Sequence, residues 1–579
     1  MKALKFVVAL LFLGSEAVAA DAVWIGADGD ALDNPANWSG GDPFYDATDN
    51  PTTPLCFNAS ASARLQDGDI QIYQLKTGVG DVSVSLDLKG KFLWFGGASV
   101  INWNSKTGAS FAFKDGGMDF TPGAGTLSMC AGSSVTFDNV AATGRIYCAA
   151  LESTVVLTNG TRLLGRIEGF DGNKNSKVVI AGPGTVVDCQ GYGFVVGGRN
   201  NEQTCSNSLY ITDHAVVTNV GSTACACGFG DFESLGTGMY VEISNGSRVY
   251  GQGSTKFIAS RTYGGTTFRI LSGSVVSNFT GFGVARGGGA DNLLEIAGEG
   301  TQYYAAAGGA DNYIGYTASS VRARAWVHDH AFVRACAHID GYAADQEEPA
   351  LDVEDHATFD SSGYDVNIGN QGAWRPRLKV DNYSTFKCAR FFFGKANCPR
   401  DVLVWIGDHS TMTCSGYVSD AVGTVNTLVL SNGMFSVGSG QSFTVTGTNT
   451  IVFAGRAPQL HIFGLSQGGR LTLRFDIPAE GYEAEHPCLD IYRQNADLVI
   501  SSVIVPEFNL DKYVKAGGGK VLLAQVDSTR KMSFASDEIR ERWETALARE
   551  DAKCKLEIVD DTKLYLTCTP KKGMMILLR

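Results

Sequence analysis

A short motif recurs along most of this 579-residue chain and limits the folds that the chain can adopt. It begins with an apolar residue, continues with Asn, Asp, Ser or Gly and then Gly or His, and usually ends on an apolar residue, as in Ile211 to Val217. From the copy at Met129 to the copy at Leu430 there are 301 residues in 11 steps, a mean period of about 27 residues. Periods of that size are typical of solenoids, whereas a propeller blade needs about 40 residues or more. The copies begin at Trp94, Met129, Leu157, Ile180, Ile211, Ile243, Ile270, Ile296, Val327, Val353, Val380, Ile406 and Leu430.

Each copy predicts the end of one short strand, a tight turn and the start of the next strand. Asn and Asp side chains bond the backbone two residues on, and Gly, Asn, Asp and His accept a positive φ. Flanking runs such as Lys177 to Ile180 have the aliphatic and β-branched composition of strands. About 27 residues hold three strands and three bends, which make one coil of a parallel β-helix. We therefore predict an all-β fold, a right-handed parallel β-helix of about 13 coils with N- and C-terminal caps and one short C-terminal helix between Ser536 and Glu550.

The chain begins with a segment that is typical of export. Residues 1–20 contain Lys2 and Lys5, an apolar run from Phe6 to Leu13 and small residues up to Ala20, which predicts a secretory signal peptide cleaved near Ala20. No later apolar run reaches the roughly 18 residues of a membrane-spanning helix, so the mature chain is expected to be secreted or at the cell surface without a transmembrane segment. The expected divisions after the signal peptide are an N-terminal cap (21–62), the parallel β-helix (63–455) and a β-rich C-terminal cap (456–579).

The net charge of −13 and the pI near 5.2 do not favour a nucleic-acid partner. No cofactor is expected. The sequence leaves the oligomeric state open.

The residues after the signal peptide resemble a known family. Trp24-Ile25-Gly26, followed by Asn-Pro-Ala-Asn-Trp-Ser from Asn34, is similar to the opening of secreted bacterial β-helix proteins of the autotransporter-passenger type. The resemblance implies a rod that is displayed on a surface or released, is often adhesive and has no catalytic residues to carry over. It departs from the family at the other end, because nothing after Leu430 has the series of amphipathic strands of a C-terminal membrane barrel.

Five charged residues stand five positions before successive motif starts, and their signs alternate. If equivalent positions stack, each charge has opposite charges above and below it, a structural ladder that fixes the register of the coils. These residues are Asp291, Arg322, Glu348, Arg375 and Asp401.

The same region also allows a functional interpretation. Arg322, Arg324, Arg375, Arg377 and Lys379 form a basic strip. Acidic residues, among them Glu348 and Asp352, lie beside it. Paired carboxylates with Arg or Lys on one β-helix face are what acidic-polysaccharide lyases and glycosidases use. The catalytic candidates are Glu348, Asp352, Arg375, Arg377 and Lys379, and the ligand-binding candidates are Arg322 and Arg324.

An Asp-His pair fills the turn of several coils, including Asp355-His356 and Asp408-His409. A column of these residues could bind a metal or take part in acid-base chemistry. The purely structural explanation is that the turn needs them for its backbone geometry, because Asn-Gly fills the same place elsewhere.

We expect a structural or adhesive surface protein whose partner is a polysaccharide or a host or cell surface. The alternative is a polysaccharide-active enzyme, a lyase or a glycoside hydrolase, that uses the acidic and basic face. An enzyme should bring carboxyl groups together in one groove with Arg or Lys, whereas an adhesin should spread them as ladders.

Overall fold

The fold follows from a computed structural model. It describes residues 21–39, 43–44, 53–97, 99–103, 107–121, 125–148, 150–168, 174–196, 206–223, 232–234, 236–259, 264–285, 289–306, 313–315, 320–340, 349–369, 375–394, 401–438, 440–484, 486–492 and 497–571. The predicted signal peptide and Glu348 lie outside these residues.

The chain forms a parallel β-solenoid of about 14 turns, with about 57% strand and 4% helix. The predicted all-β parallel β-helix is therefore confirmed, with about one turn more than the period gave. The chain divides into two compact units, residues 1–146 and 147–579. Among the described residues, no helix is long and apolar enough to cross a bilayer.

Three parallel sheets build the second unit, and each turn of the chain adds a strand to them in succession. Sheet 1 consists of Thr154–Thr158, Lys177–Ala181, Ser208–Thr212, Tyr240–Ile243, Thr267–Leu271, Leu293–Ala297, Arg324–His328, Ala350–Val353, Arg377–Val380, Val402–Gly407, Val425–Ser431, Thr448–Ala454, Arg470–Asp476 and Ile504–Asn509. Sheet 2 consists of Arg162–Glu168, Val186–Asp188, Val216–Val220, Arg248–Gly251, Val275–Phe279, Gln302–Ala305, Phe332–Arg334, Thr358–Ile368, Thr385–Phe393, Thr411–Cys414, Met434–Val437, Gln459–Ile462, Leu489–Ile491 and Gly519–Val526. Sheet 3 consists of Phe194–Val196, Phe232–Ser234, Lys256–Ile258, Gly281–Val284, Tyr313–Ile314, Ala337–Ile339, the later parts of Thr358–Ile368 and Thr385–Phe393, and then Val418–Asp420, Ser442–Val445 and Gly464–Gln467.

The motif sets the register of sheet 1. Every predicted start from Leu157 to Leu430 pairs with the start in the next turn, so these residues form one inward column. Leu157, Ile211 and Leu430 are fully buried in it. The column continues past the last predicted copy through Phe453 and Phe475, whose rings stack 5.2 Å apart.

The two earliest predicted copies are not in such a column. Trp94 pairs with Gln71 and Asp119, and Met129 lies outside the strands. The prediction was wrong for these two because the inward column of the first unit instead contains Leu86 and Phe113, which pair directly. The turn that follows Leu86 has a different spacing from the motif.

The motif turn has the backbone geometry that its residues predict. Asp213 and His214 have φ values of 55° and 65°, and Asp355 and His356 have 53° and 62°. Asn, Asp and His tolerate this left-handed region better than most residues, which explains their choice at these positions.

The first unit has its own aromatic core. The indole rings of Trp24 and Trp38 lie 5.0 Å apart, and the Trp38 ring lies 5.5 Å from the ring of Phe57. The buried Trp38 indole donates to the carbonyl of Leu32 at 2.8 Å. The strands of this part of the chain are Ala22–Trp24, Asp30–Ala31, Trp38–Ser39, Leu55–Phe57, Ala61–Arg64, Ile70–Ile72, Leu75–Thr77, Ser83–Asp87, Phe92–Phe95, Ile101–Asn102, Ser110–Asp119, Thr126–Ser128 and Ser134–Tyr147, with a 3-10 helix at Pro35–Asn37.

The C-terminal part adds two helices, α1 (Asp511–Lys515) and α2 (Asp537–Ala546). The predicted helix is α2, where the Ser536 hydroxyl accepts from the Ile539 amide at 3.4 Å and Trp543 is buried. The short α1 was not predicted. The antiparallel strands Ala552–Val559 and Lys563–Pro570 are joined by the disulfide Cys554–Cys568. The remaining short strands are Gly289–Ala290, Ser320–Val321, Leu498–Ile500 and Met532–Phe534.

The buried column makes a testable claim about stability. Leu209 is fully buried between Val178 and Val241, whereas Leu164, also on a strand, is 42% exposed. We expect Leu209→Ala to lower the free energy of unfolding by about 2–5 kcal/mol, because it leaves a cavity between turns. Leu164→Ala should lower it by under about 1 kcal/mol. Urea denaturation followed by circular dichroism measures both, and equal losses would contradict the assigned register.

Candidate functional site

A cleft of about 380 Å³ opens on the outer face of sheet 1. Side chains that alternate with the buried column along four successive strands point into it, because neighbouring residues of a strand face opposite sides. Three cations, two carboxylates and two apolar side chains line it: Arg324, Arg377, Lys379, Asp352, Glu354, Leu403 and Trp405. We call it the Trp405 cleft.

Asp352 is the buried anchor of this cleft. Its carboxylate lies 2.7 Å from Nε of Arg324 and 3.0 Å from Nη2 of Arg377, on the strands before and after it. The Asp352 side chain is 1% exposed, while the side chains of Arg324 and Arg377 are 40% and 31% exposed. The buried carboxylate therefore fixes two cations whose outer surfaces remain open to a ligand.

Glu354 and Lys379 form a second, adjacent pair. Lys379 Nζ donates to one Glu354 oxygen at 2.6 Å, and the Trp326 indole donates to the other at 2.8 Å. Burial pushes the pKa of Glu354 up, but the hydrogen bond and charge of Lys379 outweigh it, so the pKa lies below its usual value. Burial lowers the pKa of Lys379, but its hydrogen bonds to Glu354 and Asp381 have the larger effect, so the pKa lies above its usual value. Both groups are therefore held in their charged forms.

Trp405 gives the cleft an aromatic wall. It is half-buried and pairs in register with Lys379, which in turn pairs with Asp352. A Cβ added to Gly407 would come within 2.6 Å of the indole nitrogen of Trp405, so glycine leaves the space in which the ring lies.

The charge ladder lies at a corner of the coil beside this cleft. Asp291 pairs with Arg322 at 2.5 Å, and Arg375 pairs with Asp401 at 3.6 Å. All four residues have a positive φ, between 47° and 58°, as expected for equivalent positions. Glu348, the predicted link between the two pairs, lies outside the described residues. Of the sequence candidates, Arg324, Asp352, Arg377 and Lys379 thus line the cleft, whereas Arg322 and Arg375 belong to the ladder.

The Asp-His turns form a separate column between sheets 1 and 2. The rings of His330, His356, Tyr383 and His409 stack at 4.9, 5.2 and 5.1 Å. The side-chain amide of Asn382 donates to the carboxylate of Asp355, which links the polar residues of two turns. Among the described residues, no group of three or more His, Cys, Asp or Glu side chains could hold a metal ion. Asp355, His356, Asp408 and His409 lie at this turn, and of them His356 and His409 belong to the ring column.

Trp405 and Leu403 were missed as site residues. Both stand at alternate positions of a strand whose inward residues are Val404 and Ile406. They also lie one turn after Lys379 and Arg377 in the repeat. Projecting the charged strip forward by one period would have found them.

Comparison with known proteins adds no relationship. No family model matches the chain, and no curated protein or solved structure shows significant similarity to it.

The burial of Asp352 leads to a second testable claim. Asp352→Asn leaves two guanidinium groups without their shared counter-charge, so we expect a loss of about 2–3 kcal/mol, less than for a fully buried pair because solvent reaches both arginines. The same change at Asp291, in the exposed pair with Arg322, should cost under about 1 kcal/mol. Urea midpoints of the two variants provide the comparison. A larger loss for Asp291→Asn would show that Asp352 is not the anchor.

Proposed function

We propose that this protein is exported and binds acidic glycans, as a surface-displayed or secreted adhesin-like solenoid, through the Trp405 cleft. The observation that carries the proposal is the combination of Trp405 with two guanidinium groups that the buried Asp352 holds in place. Arginines can bind carboxylate or sulfate groups in a bidentate manner, and the flat face of an indole packs against apolar surface of a ligand.

The arrangement of the charges supports an acidic ligand. Three cations line the cleft with two carboxylates, and a third carboxylate, that of Asp381, lies 3.0 Å from Lys379 Nζ. The side chains of Arg324 and Arg377 are 40% and 31% exposed while that of Asp352 is 1% exposed, so the cations rather than this carboxylate face the solvent. The carboxylates are already engaged by the cations within the protein. A uronate or sulfate group would therefore meet the exposed sides of Arg324 and Arg377.

The protonation states favour binding over catalysis. A general acid needs a carboxyl group that stays protonated near neutral pH, and a lysine base needs a lowered pKa. Glu354 and Lys379 are shifted in the opposite directions. Lys379 is suited to hold an acidic ligand by charge, and neither residue is suited to transfer a proton.

The cysteines support export. The Cys554–Cys568 disulfide is a bond that persists in oxidising compartments. The other described cysteines are free thiols, and all of them except Cys130 are buried, where oxidants reach them poorly. This pattern agrees with the signal peptide that residues 1–20 predict and with the resemblance to autotransporter passengers.

Glycan binding can be tested directly. On an array of uronate polymers, sulfated polysaccharides and neutral glucans, we expect binding to the acidic polymers that weakens as the salt concentration rises from about 0.05 to about 0.5 M. Arg377→Ala and Trp405→Ala should each weaken it by about tenfold or more, because each removes a main contact group.

Arg248→Ala is the matched control, since Arg248 is an exposed arginine on sheet 2. It should leave the affinity within about twofold. Equal effects of Arg377→Ala and Arg248→Ala would contradict the proposed site. Release of shortened or unsaturated oligosaccharides, lost in Arg377→Ala, would establish the lyase or hydrolase alternative instead.

Export leads to a prediction of its own. Expressed in a bacterial host with its residues 1–20, the protein should leave the cytoplasm and begin near Asp21, because the signal peptide is removed after a small residue. N-terminal sequencing of the fractionated protein measures both properties. Full-length chain that stays in the cytoplasm with Met1 intact would refute export.

A further inference from the structure

The ring column ends at His409, and the reason is a turn that is one residue shorter. Val380 and Thr385 are five residues apart. They pair with Ile406 and Thr411, which are also five residues apart. In the next turn only four steps separate Leu430 from Met434, the partners of Ile406 and Thr411.

The missing residue is the one that would carry the next ring. The Tyr383 amide donates to the carbonyl of Asp408, and the His409 amide donates in the same way to the carbonyl of Asn432, so Asn432 takes the place of Asp408. The residue that follows is Gly433, on which a Cβ would come within 2.7 Å of the carbonyl carbon of Ile406. No side chain fits there.

A cleft of about 280 Å³ occupies this place, and we call it the His409 cleft. Tyr383 covers one face of the His409 ring, and the ring remains exposed. Asn432 does not fill the space, because its side-chain oxygen turns to the next coil and accepts from the Ala457 amide at 3.3 Å. At about 30 Å³ per water molecule, this volume equals that of about nine waters, which is enough for one sugar ring.

The polar groups around this cleft indicate what it binds. Hydroxyl, amide, imidazole and carboxylate groups line the cleft: Thr411, Asn432, Gln459, Glu483 and His486. Such a lining suits a ligand with many hydroxyl groups and one apolar face. Glu483 disfavours an anion and can accept hydrogen bonds from hydroxyl or ammonium groups.

We propose that the His409 cleft is a second subsite that binds one neutral or amino sugar residue, stacked on the His409 ring as the next ring of the column. The inference rests on the proposed function in taking a glycan as the ligand. It adds a site with a different charge preference from that of the Trp405 cleft.

Saturation-transfer NMR with methyl glucoside, methyl galactoside and glucosamine tests this subsite on the full chain. We expect at least one of these sugars to bind, and His409→Asn to weaken that binding by about fivefold or more, since Asn keeps the left-handed backbone but removes the ring. His409→Tyr should retain the affinity within about twofold, because Tyr383 occupies the equivalent position with a φ of 62°. Ala457→Phe should weaken binding by filling the cleft.

His330→Asn is the matched control, because it removes an exposed ring at the other end of the same column. It should leave sugar binding unchanged. Binding that is equally weakened in His330→Asn and His409→Asn would overturn the proposal, as would the absence of binding of all three sugars. If Ala457→Phe does not fold, the contrast between His409→Asn and His409→Tyr decides.

Variants at the two clefts distinguish failure of the proposed function from failure of the His409 subsite. Trp405→Ala should lose acidic polymers and keep the sugars, whereas His409→Asn should do the reverse. Sugar binding at His409 without any acidic polymer binding would refute the proposed function alone. Polymer binding without any sugar binding would refute the His409 subsite alone.

Discussion

Parallel hydrogen bonding between successive turns is the constraint on which the rest of the second unit depends. Once Ile211 pairs with Ile180 before it and Ile243 after it, most other strand residues of the turn also lie over their equivalents. The environment of a residue is therefore set by the equivalent residues in the turns before and after it rather than by its neighbours in sequence. A buried leucine, a left-handed Asp and a charged corner residue each recur because the same environment recurs about every 27 residues.

Charged side chains that point outward can repel their equivalents in the next turn, which buried aliphatic side chains do not. Stacked aliphatic side chains gain by contact with one another, whereas stacked like charges repel. The alternation of Asp291 with Arg322 and of Arg375 with Asp401 avoids that repulsion at the corner. On sheet 1 the same rule places Asp352 between Arg324 and Arg377, but there the carboxylate is buried. Burial turns an ordinary alternating ladder into a rigid arrangement that presents two guanidinium groups.

The repeat made most of the fold predictable and only part of the cleft. The motif located the buried column from Leu157 to Leu430, because the turn chemistry of each copy is local. It failed at Trp94 and Met129, where a differently spaced turn gives no comparable signal. Arg377 and Lys379 were found as charges, while Trp405 was overlooked since a lone aromatic residue in a strand is usually a packing residue. The charged states of Glu354 and Lys379 depend on distances between turns, which sequence spacing alone does not give.

The His409 cleft lies where the regularity of the turns is interrupted. A perfect column offers a ligand only the edges of its rings, because each face is covered by the next turn. The loss of a single residue between Leu430 and Met434 uncovers the face of His409 without breaking the pairing on either side. The polar groups that complete the cleft, Glu483 and His486, come from a segment outside the motif repeat. A small change in turn length can thus create a binding site while the hydrogen-bonded sheets keep their register.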